Sequence, residues 1–131
     1  MVPVGKGRPR FSTFGGHVRA ITPEKTRNAE TTIRLFAQQA MAGYDLFEGP
    51  LYVEIVAVFP VPASYSQKKR NLCLMGDILP TKKPDCDNLV KLVLDSMNAV
   101  VFHDDVQVVR VMARKIYGEK PRFLITVQPI S

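Results

Sequence analysis

The chain has few cysteines, few histidines and no long apolar run, and each shortage removes a class of protein. Cys73 and Cys86 are its only cysteines, too few for a disulfide framework. They are expected to be reduced, as in the cytoplasm. Cys86 lies between two aspartates and, lacking a partner motif, reads as a small filler. With only His17 and His103, the chain offers no Cys/His spacing for zinc and no Ser-His-Asp combination. A Gly-rich phosphate loop is also missing. No apolar stretch approaches the ~20 residues that cross a bilayer, so no membrane association is expected. Residues 1–16 carry charge without an apolar core, which argues against a secretory signal.

What is present fits one small soluble domain. The 131 residues are 46% hydrophobic and 23% charged, ordinary values for a globular protein. A chain of this size buries roughly 68% of its unfolded surface, enough for one core. The net charge of +6 is unevenly spread. Residues 1–27 hold Lys6, Arg8, Arg10, Arg19, Lys25 and Arg27 against Glu24. Residues 61–83 hold Lys68, Lys69, Arg70, Lys82 and Lys83 against Asp77. Residues 84–105 reverse the sign, with Asp85, Asp87, Asp95, Asp104 and Asp105 against Lys91. Basic surface attracts polyanions such as nucleic acid. Carboxylates in the same protein repel phosphate unless a divalent cation neutralises them. A solvated basic surface beside a capped helix is the plainer alternative.

The pattern of residues predicts an α/β (α+β) domain, a mixed sheet packed against two main helices. Residues 1–21, rich in Gly, Pro and Arg, read as an extended or looped arm. Thr22-Pro23-Glu24 starts a helix, in which Ala29, Ile33, Phe36 and Ala40 follow at helical spacing and which Gly43 can end. Residues 51–58 read as a strand covered on both faces, stopped by Pro60 and Pro62. Residues 63–84 form a long, basic, polar connection. A second helix over residues 85–98 buries Leu89, Leu92, Val93 and Met97 and turns Asn88, Lys91, Asp95 and Asn98 outward. Two strands, over residues 106–116 and 122–127, are joined by a turn at Gly118-Glu119-Lys120-Pro121.

The chemistry concentrates in Asp85-Cys86-Asp87, Lys91 and His103-Asp104-Asp105. Pro84 keeps Lys83 extended, so Asp85 begins the helix. Asp87 follows in its first turn and Lys91 lies one turn beyond. The short connection after the second helix returns Asp104 and Asp105 to its neighbourhood. Two or three aspartates from different elements suit a hard cation such as Mg²⁺. Each piece also has a structural reading: Asp-x-Asp as a helix cap, the Asp pair as a turn, Lys91 as an i, i+4 partner of Asp87. His103 reads as a neighbour of the aspartates rather than a base.

The order of these residues is more specific than the parts. Lys83-Pro84-Asp85-Cys86-Asp87-Asn88-Leu89-Val90-Lys91, then Asp95 and Asn98, then Phe102-His103-Asp104-Asp105-Val106-Gln107-Val108 resembles the signature of RusA-type Holliday junction resolvases. Gly5-Lys6-Gly7-Arg8-Pro9-Arg10-Phe11 and Thr22-Pro23-Glu24-Lys25-Thr26-Arg27 resemble that family's N-terminal region. Its members usually carry an apolar strand before the Gly-x-Gly-Arg-Pro-Arg element. Here that strand is expected to be shortened or absent, since the chain starts at Met1-Val2-Pro3-Val4.

The resemblance implies a small homodimeric endonuclease that cuts four-way DNA junctions with Mg²⁺, with Mn²⁺ as a substitute ion. It implies a bacterial or phage-infected cytoplasm and a role in recombination and repair. Asp85, Asp87 and Asp105 match the family's catalytic, metal-holding carboxylates, Lys91 its required lysine. Asp104 adjoins them. Lys6, Arg8, Arg10, Lys68, Lys69, Arg70, Lys82 and Lys83 would then grip backbone phosphates without reading sequence. The rival readings are a non-catalytic, structure-selective DNA-binding protein and an interaction protein with an incidentally basic surface. Metal-dependent nicking separates the enzyme from both.

Overall fold

Ala29, Ile33, Ala37 and Met41 recur at helical spacing and form the buried face of α1 (Thr26–Met41). The computed structural model describes residues 17–19 and 26–130. Lys6, Arg8 and Arg10, the shortened strand expected at residues 1–4 and the helix start expected at Thr22-Pro23-Glu24 lie outside the described residues. In α1 the buried stripe runs through Ala37 and Met41, while Phe36 is only half-buried.

The centre of the sheet is β2 (Leu51–Pro60). Leu51, Val53, Ile55 and Ala57 are fully buried on its helix side, and Val56 and Val58 are buried on the other. Removing a side chain such as Ile55 here would cost about 2–5 kcal/mol. Four strands are ordered β1-β4-β2-β3. The short β1 (His17–Arg19), inside the segment expected to be an arm, pairs antiparallel with β4 (Arg122–Pro129). β4 runs antiparallel to β2, and β3 (Val108–Gly118) runs parallel to it along the opposite side. The sheet is therefore mixed, as expected, and α1 and α3 (Cys86–Met97) share one core with it.

The turn after β3 joins strands that do not pair. β2 lies between β3 and β4, so the chain must cross its end. Gly118 makes that crossing possible: a Cβ there would stand 2.5 Å from Val58 Cγ1.

The long polar connection contains a helix that the residue pattern did not disclose. α2 (Gln67–Met75) is capped by Ser66, whose hydroxyl accepts from Lys69 N at 3.2 Å. It ends at Gly76, which adopts the left-handed conformation at φ 89°, where glycine avoids the Cβ penalty. Ser66 and Gly76 are the readable start and stop signals. Its apolar spacing is weak, because Cys73 is the only buried residue on the helix.

Candidate active site

Asp85 is the N-cap of α3, with extended backbone angles of −80° and 166°. Its Oδ1 accepts from Asn88 N at 3.2 Å. The capping reading of Asp85 is thus realised, yet the side chain is exposed and its Oδ2 takes no partner among the described residues. Asp87 stands in the first helical turn and Lys91 one turn on, both exposed. The described residues hold two ion pairs, Arg34–Glu30 and His103–Glu48, and neither involves Asp87 or Lys91. The helix-surface pairing anticipated for Lys91 is not made. Two carboxylates and one ammonium therefore face solvent together at the head of α3.

The backbone leading to this cap is tied to β3. Lys115 Nζ donates to the carbonyl oxygens of Lys82 at 2.7 Å and Pro84 at 2.9 Å. Two residues back along the strand, Cys86 Sγ lies 3.9 Å from Ala113 O. Lys82 and Lys83 are exposed on this segment, directly before Pro84. Lys68, Lys69 and Arg70 lie on α2, with Lys69 Nζ 4.0 Å from the centre of the Tyr65 ring.

The tail of α3 is built differently. Ala99, at φ 63°, turns the chain sharply, and its N–H donates to Phe102 O at 2.8 Å. Asp104 then caps a 3-10 turn (Asp105–Gln107) by accepting from Val106 N at 3.2 Å. Gln107 locks that turn in place. Its Oε1 accepts from His103 N and Asp104 N at 2.8 and 3.1 Å. Its Nε2 donates to Phe47 O and Gly49 O at 3.0 and 3.1 Å. Asp105 Oδ2 accepts from Asn98 Nδ2 at 3.4 Å, and Asn98 Oδ1 is buried without a partner. Arg34 bonds the carbonyl oxygens of Asp95 and Asn98, fixing the end of the helix. His103 pairs with Glu48 at 3.1 Å on the surface.

These contacts set Asp105 at one end of α3 and Asp85 and Asp87 at the other. The intervening thirteen residue steps at 1.5 Å each amount to about 20 Å. Within the described chain Asp105 therefore stands apart from Asp85 and Asp87, where convergence of the three was expected. The reason is local: the tight turn at Ala99 leaves the acidic pair beside the helix tail, and β3 then runs back beneath α3. Among the described residues no group of three or more His, Cys, Asp or Glu side chains is placed to hold a metal.

The displaced titrations lie away from these carboxylates. Burial first, then Tyr65, raises the Tyr117 phenol. A hydrogen bond donated to Glu54 raises that of Tyr52. Three residues were not singled out from the sequence. Gln107 and Asn98 stand in the quoted motif, whose resemblance to the family pattern was the available signal. Lys115 gave none, being one more basic residue on an alternating strand.

No helix among the described residues is long and apolar enough to cross a membrane. The sequence is similar to that of YqaN, an uncharacterized protein of Bacillus subtilis (strain 168). The two are 35% identical over 131 residues, covering 98% of this chain and 92% of the relative. Residues 1–128 match the family described as Endodeoxyribonuclease RusA. With the acidic helix head, the mixed sheet and this match over nearly its whole length, the chain belongs to the RusA endodeoxyribonuclease family.

Proposed function

We propose that this protein is a Mg²⁺-dependent endodeoxyribonuclease that resolves four-way DNA junctions by paired symmetric nicks. It would act as a homodimer in recombination and repair, in a bacterial or phage-infected cytoplasm. The observation that carries this reading is the exposed Asp85, Asp87 and Lys91 group at the head of α3, in a chain of a DNA endonuclease family.

The donors suit the ion. Mg²⁺ takes one or two carboxylates and keeps several waters, and Asp85 Oδ2 and the exposed Asp87 carboxylate have no partner among the described residues. When bound, the ion would supply an activated water and stabilise the leaving oxygen. Lys91 would hold the scissile phosphate and neutralise the charge that grows on it. Lys82, Lys83, Lys68, Lys69 and Arg70, with Lys6, Arg8 and Arg10, would bind flanking phosphates.

A dimer explains the distance between the carboxylates. β3 is the edge strand among the described strands, and Val109 and Val111 along it are 63% and 43% exposed, with Val106 in the turn before it 77% exposed. An open apolar strand edge is a template for pairing with another chain. Antiparallel pairing of two β3 strands about a two-fold axis near Val109 would carry the turn that bears Asp105 of the partner subunit toward Ala113. Ala113 is the residue that touches Cys86, between Asp85 and Asp87. Each site would then take two carboxylates from one protomer and one from its partner. Two such sites related by symmetry suit two symmetric cuts.

The test is a labelled four-way junction incubated with and without Mg²⁺, mapping cuts on every strand. Paired, symmetric, metal-dependent nicks are expected. A protein that binds the junction and leaves all strands intact would instead be a non-catalytic junction binder. Mixing Asp87→Asn with Asp105→Asn tests the shared site. Each is inactive alone, whereas the mixed dimer regains one intact site and nicks one strand. Persistent inactivity of verified mixed dimers would place all three carboxylates' work within one protomer.

A further inference from the structure

We propose that Lys115 is a positioning residue, whose ammonium fixes the backbone that delivers Asp85 and Asp87 to the site. The proposal rests on the metal reading above for its functional consequence, and on geometry alone for its structural one. Lys115 belongs to β3, on the side of the sheet facing the helices, opposite Ala57 in the β2 register. It is half-buried, with its Nζ 5.9 Å from the centre of the Phe59 ring. Two of its three N–H donors are engaged, by the Lys82 and Pro84 carbonyls.

Those two acceptors are the point. Residues 82–85 lie outside any helix or strand, so no ladder of backbone bonds holds them. Pro84 has no N–H to give. Lys115 supplies the missing anchorage from the strand, on the residue immediately before the N-cap. Hydrogen bonds from a charged donor are about twice as strong as neutral ones. Fixing Pro84 O fixes the peptide plane that leads into Asp85. That in turn sets the direction of a carboxylate whose Oδ1 is already committed to Asn88 N. The same clamp orients Lys82 and Lys83, so one half-buried amine aligns the acidic group and part of the phosphate grip. Groups that orient metal ligands without touching the metal commonly govern affinity by 10–100-fold.

Lys115→Met keeps the length and the apolar stem but removes the donors. Lys115→Arg keeps the charge and can reach both carbonyls. Two measurements decide. Amide hydrogen exchange reads the clamp without any metal. Exchange at the Asn88 and Leu89 amides, which both bond Asp85, should quicken about tenfold or more in Lys115→Met. Ile125, at the sheet centre, should be unchanged, and Lys115→Arg should restore much of the protection. Unchanged exchange at Asn88 and Leu89, or equal acceleration at Ile125, overturns the proposal. Mn²⁺ titration followed by electron paramagnetic resonance then reads the consequence. Affinity should fall about 10–100-fold in Lys115→Met and be recovered in part by Lys115→Arg. Parental affinity in a Lys115→Met protein with loosened exchange overturns the positioning role. Failure of the parent and Asp87→Asn to differ in Mn²⁺ binding overturns the metal reading instead, and leaves the exchange result to judge the clamp.

Discussion

The two ends of α3 carry aspartates in one continuous motif, yet they are built on opposite plans. At the head, Asp87 and Lys91 have no side-chain partner among the described residues and Asp85 gives only one oxygen to its cap. At the tail, the Asp104 cap, the Asn98 bond to Asp105 and the four bonds of Gln107 commit nearly every polar group to structure. A folded protein gains little from unpaired charges on one helix face. Under the proposed function these charges at the head serve a ligand rather than the fold. The tail teaches the converse: an acidic cluster can be mostly scaffold, presenting one carboxylate from a rigid turn.

The sharpest way to break this contrast is Asp87→Asn. It preserves size and removes the charge that would hold a cation. Cleavage of a labelled junction should be lost while binding in a gel-shift assay persists. Stability should move by no more than about 1 kcal/mol, the worth of a carboxylate in a first helical turn. Next in size is Lys91→Ala. A surface lysine contributes about 0.5 kcal/mol at most, whereas a group stabilising transition-state charge is worth about 10²-fold or more in rate. Single-turnover cleavage should slow by that factor with an unchanged melting temperature. Lys91→Arg should recover part of it, since the charge returns with a different shape. Parental rates in Lys91→Ala would return this residue to the helix surface.

Much of this was legible before any coordinates. Leu89, Leu92, Val93 and Met97 carry a helical period strong enough to give α3, and Asp85 after Pro84 gave its cap. The alternation from Leu51 gave the central strand. Three things were not legible, each for a physical reason. α2 has one buried residue, so periodicity had nothing to report and only Ser66 and Gly76 marked it. Strand order is a long-range property: the turn at Gly118 suggests neighbours, but β2 lies between β3 and β4. The separation of Asp105 from Asp85 depends on the direction the chain takes after Asn98. That was decided by a left-handed alanine, a conformation its sequence does not announce.

At the tail the expected effects are on stability. Gln107→Ala would leave His103 N, Asp104 N, Phe47 O and Gly49 O without their partner. The site is half-exposed, so water replaces some of these bonds, and the loss should be about 1–3 kcal/mol. Urea denaturation would measure it as a lowered midpoint with an unchanged slope. A much smaller loss would mean that the turn does not need its clamp.

The smallest effect belongs to Asp104, and it tests the contrast most directly. Asp104 has a written task in the structure: its Oδ1 accepts from Val106 N, and it forms a reciprocal capping box with Gln107. Loss of a good cap costs about 0.5–2 kcal/mol. The capped element is a single exposed 3-10 turn, so Asp104→Ala should fall toward the low end. Asn caps as well as Asp, so Asp104→Asn should restore the parental midpoint. If Asp104 is scaffold, both variants should cut junctions at the parental rate per folded molecule, and Mg²⁺ dependence should not shift. Asp105→Asn, one residue away and equally conservative, should lose cleavage while keeping its fold. An Asp104→Asn protein that is fully stable but cuts slowly would show that this carboxylate acts through its charge. The tail of α3 would then belong to the chemistry as much as the head does.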